Sequence, residues 1–194
     1  RNGKQPASVF LFCEELGISE AEFYSQFTSF EALEIAWVKT QMEGLFAELQ
    51  SDETFIAYSA REKYTALLYA WVEKCTQDRS FWLLVDSRKS RTQLHVPLLS
   101  AMKKTFLSMA ETIVREGYDQ GEIMRRPLLS EKYPDAMWLQ FLWIHEFWLR
   151  DISTEFQRTD AAIEKSVRFV FDMMAHSALD SALDLGKFLL GSRA

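Results

Sequence analysis

The sequence is poor in residues that interrupt helices: 194 residues contain only 7 Gly and 4 Pro. So few breakers exclude a many-turned β fold and favour long helices. Cysteine is scarce too. Cys13 and Cys75 lie far apart, with no CxxC and no Cys/His cluster. Zinc and redox motifs therefore lack support, and both thiols are expected to be reduced, buried and apolar in behaviour. Long hydrophobic runs are absent. The longest, such as Ala66–Val72, fall far short of a membrane span, and a cytoplasmic protein is expected. The chain opens on Arg1 and not Met, so the natural N-terminus is expected to lie upstream.

Catalytic patterns are missing as well. There is no Gly-rich phosphate loop and no nucleophile elbow, and His95, His145 and His176 stand isolated. His145 and Glu146 are adjacent, which on a helix sets them about 100° apart and makes no HExxH pair. Asp135, Glu146 and Asp151 read as surface or interface charges, not as paired catalytic carboxylates. No enzyme activity, cofactor or metal is expected.

What is present is a globular composition, 48% hydrophobic and 26% charged, with a heavy aromatic load of 15 Phe and 6 Trp that must be buried. Helical periodicity dominates. Pro6 fits the first turn of a helix over Ala7–Leu16, with Gly17 as a left-handed cap. Ser19 and Glu22 have the spacing of a capping box for a helix running to about Phe27. Ser29 caps a long helix carrying Leu33, Ile35, Val38, Met42, Leu45, Phe46 and Leu49. After a break at Ser51-Asp52, helices are expected over Ser59–Thr76 and Ser80–Asp86. A polar loop follows over Ser87–Val96, holding the densest basic run, Arg88-Lys89-Ser90-Arg91. Further helices are expected from Pro97 to near Gly117, over Pro134–Ile152, and over Thr159–Leu190, with a connector at Tyr118–Tyr133.

The last two helices are apolar over more than one stripe. Met137, Trp138, Phe141, Leu142, Ile144, His145, Trp148 and Leu149 wrap the first. Ile163, Val167, Val170, Phe171, Met174, Ala175, Ala178, Leu179 and Leu183 line the second. A helix of that kind must meet more than one neighbour. One face is expected to pack on its own domain and the other to build a four-helix bundle with the same pair from a second chain, the alternative being one fully buried central helix in a monomer.

The segment from Leu16 to Leu33, LGISEAEFYSQFTSFEAL, resembles the helix-turn-helix of the TetR/AcrR family of transcriptional regulators. Gly17, Ile18 and Ser19 match the family's turn into the recognition helix. Tyr24 and Phe27 match the aromatic pair that ends that helix, and Ser29, Glu31 and Leu33 match the cap and start of the next. The resemblance implies an all-α, TetR-like fold with a helix-turn-helix domain over 1–50 and a helical ligand-binding and dimerisation domain over 51–194. The family's opening helix would lie mostly upstream. Phe10, Cys13, Phe23 and Phe27 are the expected core of the motif. DNA-facing positions implied by the resemblance are Ser19, Glu20, Ala21, Glu22, Tyr24 and Gln26.

The sequence departs from the family at this same place. Phe30 stands where the family usually carries a phosphate-contacting Lys. Over residues 1–50, three basic residues (Arg1, Lys4, Lys39) face eight Glu, a balance of −5 in a chain of net −6. Phosphate affinity comes mainly from Lys and Arg, so an acidic head suits DNA poorly. Two functions follow. One is a homodimeric regulator that binds operator DNA and is controlled by an apolar or amphipathic small molecule. The other is a protein of the same fold that has left DNA and binds a lipid or isoprenoid. In either case the expected pocket is lined by Trp71, Phe81, Trp82, Phe106, Met109, Trp138, Phe141 and Trp148. The plainer reading of each of these is an ordinary core residue.

Overall fold

A computed structural model of the chain describes residues 6–87, 95–127, 129–175 and 188. Among the described residues every regular element is a helix and no strand occurs. The order is α1 (Val9–Leu16), α2 (Glu20–Gln26), α3 (Phe30–Ser51), α4 (Glu53–Ala57), α5 (Ala60–Gln77), α6 (Arg79–Ser87), α7 (His95–Asp119), α8 (Tyr133–Arg150) and α9 (Gln157–Met174), with 3-10 turns at Ser130–Lys132 and Thr154–Phe156. The helices gather into two compact units. One draws on Arg1–Glu48 and Ala70–Phe106, the other on Leu49–Tyr69 and Leu107–Ala194, and the chain passes between them within α3, α5 and α7.

Local signals set the first helices. Helix α1 starts at Val9 and not at Ala7, because the Ser8 hydroxyl accepts from the Leu11 amide at 3.2 Å and so becomes the N-cap. Pro6 consequently lies before the helix and outside its first turn. Gly17 ends α1 at φ 70°, while the Ile18 amide reaches back to the Cys13 carbonyl at 3.0 Å. In the first unit Cys13 and Phe23 are buried with Val38, Met42, Trp71, Trp82, Met102 and Phe106. Phe10 is 58% exposed and takes no part in that core. Cys13 faces inward on α1, and the inward stripe of a 3.6-residue helix centres on Val9, Phe12 and Cys13, which leaves Phe10 to the side. Phe12 and Phe30 supply the aromatic packing instead, with Phe12 edge-on to Phe23 at 6.0 Å and to Phe30 at 5.3 Å.

The second unit is closed by polar groups that cap distant helices. The connector between α7 and α8 carries three of them. Gln120 accepts from the Ala60 amide at 3.1 Å and Glu122 from the Arg61 amide at 3.2 Å, so both serve the N-terminus of α5. Arg126, itself buried, donates from Nη1 to the carbonyls of Met173 (3.2 Å) and Met174 (3.0 Å), and from Nη2 to that of Ala175 (2.7 Å). These carbonyls would otherwise accept amides of the next helical turn. Helix α9 therefore stops at Met174, and Ala175 turns to ψ 175°. The rest of the helix expected to run to Leu190, with Ala178, Leu179 and Leu183, lies outside the described residues but for Phe188. So do Arg88–Arg91 and His176.

The turn between α8 and α9 is held by Asp151. This residue is 5% exposed and is not the surface or interface charge that its sequence setting suggests. Its carboxylate accepts from the Ser153 amide and hydroxyl and from the Thr159 amide and hydroxyl at 2.7–2.9 Å. Burial works to raise its pKa, but these hydrogen bonds outweigh burial and hold the carboxyl at about 2. Within the same turn Glu155 and Phe156 adopt left-handed φ values of 52° and 58°. The hydrophobic interior of this unit includes Tyr64, Met137, Phe141, Ile144, Trp148, Ile163, Val167 and Phe171. Tyr64 is satisfied there by donating to the Met137 carbonyl at 2.7 Å. Lys63 is almost wholly buried beside Glu116, with Nζ and Oε2 2.6 Å apart. His145 is buried against Trp148, with ring centroids 5.6 Å apart.

Candidate functional site

Helices α1 and α2 are joined by a turn at Gly17–Ser19, and α2 opens on the cap that the Ser19/Glu22 spacing predicts. Ser19 and Glu22 form a reciprocal capping box: the Glu22 amide donates to Ser19 Oγ at 3.1 Å, and the Ser19 amide donates to Glu22 Oε2 at 2.7 Å. All six DNA-facing candidates, Ser19, Glu20, Ala21, Glu22, Tyr24 and Gln26, lie on exposed positions in or next to α2. Their chemistry is acidic. The hydrogen bonds from the Ser19 amide and hydroxyl hold the Glu22 carboxyl below its ordinary range, so it stays ionised at the helix start. Burial first, and then Glu20 and Glu22, push the Cys13 thiol up. From Pro6 to Val38 the sequence holds six Glu and no Lys, Arg or His. The first turn of α2 thus presents carboxylates where a helix N-terminus would otherwise attract phosphate.

The eight expected pocket residues divide between the units. Trp71, Phe81, Trp82 and Phe106 belong to the first, and Met109, Trp138, Phe141 and Trp148 to the second. Within the first, Trp82 meets Trp71 edge-on at 5.6 Å and Phe81 at 5.3 Å, and Phe81 packs on Trp37 at 4.5 Å. Within the second, Trp138 and Phe141 stack at 5.5 Å. All but the half-buried Phe81 are buried.

Two grooves on α8 and α9 are lined by other residues. One, of about 260 Å³, is bordered by Trp143, Glu146, Phe147, Arg150, Asp151 and Arg158. Of its charged groups, Arg150 donates to Glu146 at 2.8 Å and Asp151 is engaged by Ser153 and Thr159. The other groove, of about 290 Å³, lies along the start of α8 and the end of α9, with walls that include Tyr133, Ala136, Phe169 and Met173. The same pair of helices carries exposed apolar side chains at four-residue spacing: Leu139 and Trp143 on α8, Phe169 and Met173 on α9. Sequence reasoning passed over these four because it followed the stripes that pack inward. An apolar pair at i, i+4 lying off the packed stripe was the available signal.

A family model described as the tetracyclin repressor-like C-terminal domain matches residues 63–189, more than half of the chain. No curated protein and no solved structure matches it. With an all-helical architecture and that match, the chain belongs to the TetR family of regulators.

Proposed function

We propose that this TetR-family regulator works as a homodimer that joins through α8 and α9, presents α2 to operator DNA, and responds to an apolar or amphipathic small molecule. The observation that carries this reading is the outward apolar face of the second unit. Leu139 and Phe169 are each 66% exposed, and Trp143 and Met173 extend the same stripes by one turn. Exposed apolar side chains gathered on two adjacent helices mark a contact surface, where singly scattered ones do not. In this reading residues 1–50 act as the DNA-facing head and 51–194 as the ligand and dimerisation body. Ligand control then needs only a molecule that favours one dimer geometry over another.

A second reading is favoured by the six carboxylates and absent bases between Pro6 and Val38. On that reading the protein keeps the fold, has left DNA, and binds a lipid or isoprenoid. Two measurements on the full-length chain test both. Light scattering after gel filtration is expected to give a dimer, and Trp143→Glu with Phe169→Glu a monomer. Gel shifts on promoter-proximal DNA over a range of salt decide the rest: an affinity that falls steeply with salt supports the operator reading. Absence of any salt-sensitive binding leaves the lipid reading.

A further inference from the structure

A buried polar side chain borders the exposed apolar stripes of α8 and α9. Gln140 of α8 is 8% exposed, and its Nε2 donates to Ser166 Oγ of α9 at 2.8 Å. Ser166 in turn donates to the Ile163 carbonyl at 3.3 Å. The amide oxygen, Oε1, is buried too and has no hydrogen-bond partner among the described residues. A buried acceptor left unpaired is costly, and a fold that keeps one calls for a donor from elsewhere. On the helix surface Gln140 adjoins Ala136, four residues before, and Trp143, three residues after, and both of these are exposed. Trp143 has the opposite need. About half of it is exposed, and its indole N–H makes no hydrogen bond among the described residues. Water serves that donor while the face is open. Covering the face removes the water, and a buried indole N–H then needs an acceptor.

We propose that the Trp143 indole of a second copy donates to Gln140 Oε1, so that each copy of the homodimer completes a hydrogen bond the other lacks. The proposal rests on the homodimer reading and adds to it where the two copies meet. A two-fold interface makes every contact twice, residue i on j and j on i. Donor and acceptor already lie on one surface, three residues or about 4.5 Å apart along α8. Both contacts form together where the two copies of α8 cross beside this turn, so the two-fold axis passes there. A modest rotation about the last side-chain bond, where an amide is soft, aims the oxygen outward while Nε2 stays beside Ser166.

The test uses the full-length chain and two variants, Gln140→Leu and Trp143→Phe, alone and mixed. Each substitution keeps an apolar side chain in place and removes one partner of the hydrogen bond. Each variant alone has neither contact, and sedimentation equilibrium is expected to show its dimer weakened roughly 25-fold, about fivefold per contact. A mixed dimer keeps one contact whole: Gln140 of the Trp143→Phe chain receives Trp143 of the Gln140→Leu chain. The other contact sets the two substituted side chains together, apolar on apolar. Native mass spectrometry of the mixture is therefore expected to find roughly four-fifths of the dimers mixed, against the roughly one-half that random exchange gives. Gln140→Met serves if Gln140→Leu fails to fold. A mixed share near one-half, or single variants that dimerise as tightly as the wild type, overturns the Gln140–Trp143 contact and leaves the homodimer reading standing. A monomeric wild type, or a dimer that survives Trp143→Glu with Phe169→Glu, overturns both.

Discussion

Arg126 donates a 2.7 Å hydrogen bond to the carbonyl of Ala175, 49 residues further along the chain. A buried guanidinium in this position satisfies the last carbonyls of α9, a task more often left to glycine or water. Replacing it with Met removes all of these donors but keeps the bulk. Arg126→Met is expected to destabilise the protein by roughly 1–3 kcal/mol, because the part-buried Met173 and Ala175 carbonyls lose these donors, while that of Met174 keeps the Met124 amide at 2.9 Å. Urea unfolding measures the loss. Hydrogen exchange should accelerate first at the end of α9, and uniform acceleration across the unit would contradict the capping role.

Asp151 makes a pH-dependent contribution. Its carboxyl is shifted from the ordinary 3.8 to about 2, so the folded state prefers the ionised form. The stabilisation is therefore complete above pH 4 and is lost as pH falls toward 2. Asp151→Asn is expected to cost roughly 1–2 kcal/mol at pH 7. The gap between wild type and variant should narrow between pH 4 and 2 in urea titrations. A gap independent of pH would mean that the charge contributes nothing.

Gly117 has no room for a side chain. A Cβ built there would lie 2.6 and 2.8 Å from two carbons of the Ile123 side chain and 3.1 Å from the Ala60 Cβ. Gly117→Ala is expected to destabilise by roughly 1–3 kcal/mol through overpacking. Ile123→Ala in the same chain should recover part of that loss, so a double-mutant cycle gives a non-zero coupling. Strict additivity of the two substitutions would rule out this contact as the cause.

Glu155 is held at φ 52°, where a Cβ is strained. Its side chain is exposed, so the strain can be relieved at no loss of packing. Glu155→Gly is expected to stabilise by roughly 0.5–1 kcal/mol, seen as a melting temperature higher by about 1–4 °C. A lower melting temperature would mean that the loss of chain entropy in glycine outweighs the relief.

The elements most legible in the sequence were those whose signals are local. Gly17, Ser19 and Glu22 act within a few residues of one another, and the turn they build follows directly from their spacing. The start of α1 was misread because Pro6 and Ser8 compete for the same helix entry, and a side-chain cap won. The short α4, capped by Asp52 on the Phe55 amide at 2.8 Å, is too brief for periodicity to reveal. The end of α9 was illegible because its stop signal is Arg126, far away in sequence. The groove was missed for a related reason. Aromatic bulk marks burial, and Trp71 and Trp148, expected to line a pocket, are buried, but bulk does not say where packing leaves a gap. Lys132 and Ala136 carry no such mark.

The segment Gln120–Arg126 has a consequence for how the chain can change in length. Surface connectors commonly accept insertions, because their ends close at little entropic cost. This one attaches at both ends: Gln120 and Glu122 to the start of α5, Arg126 to the end of α9. One residue added after Gly121 would have to release one attachment or the other. It is therefore a loop by conformation but a spacer of fixed length by constraint, and insertions tolerated elsewhere on the surface should be rejected here.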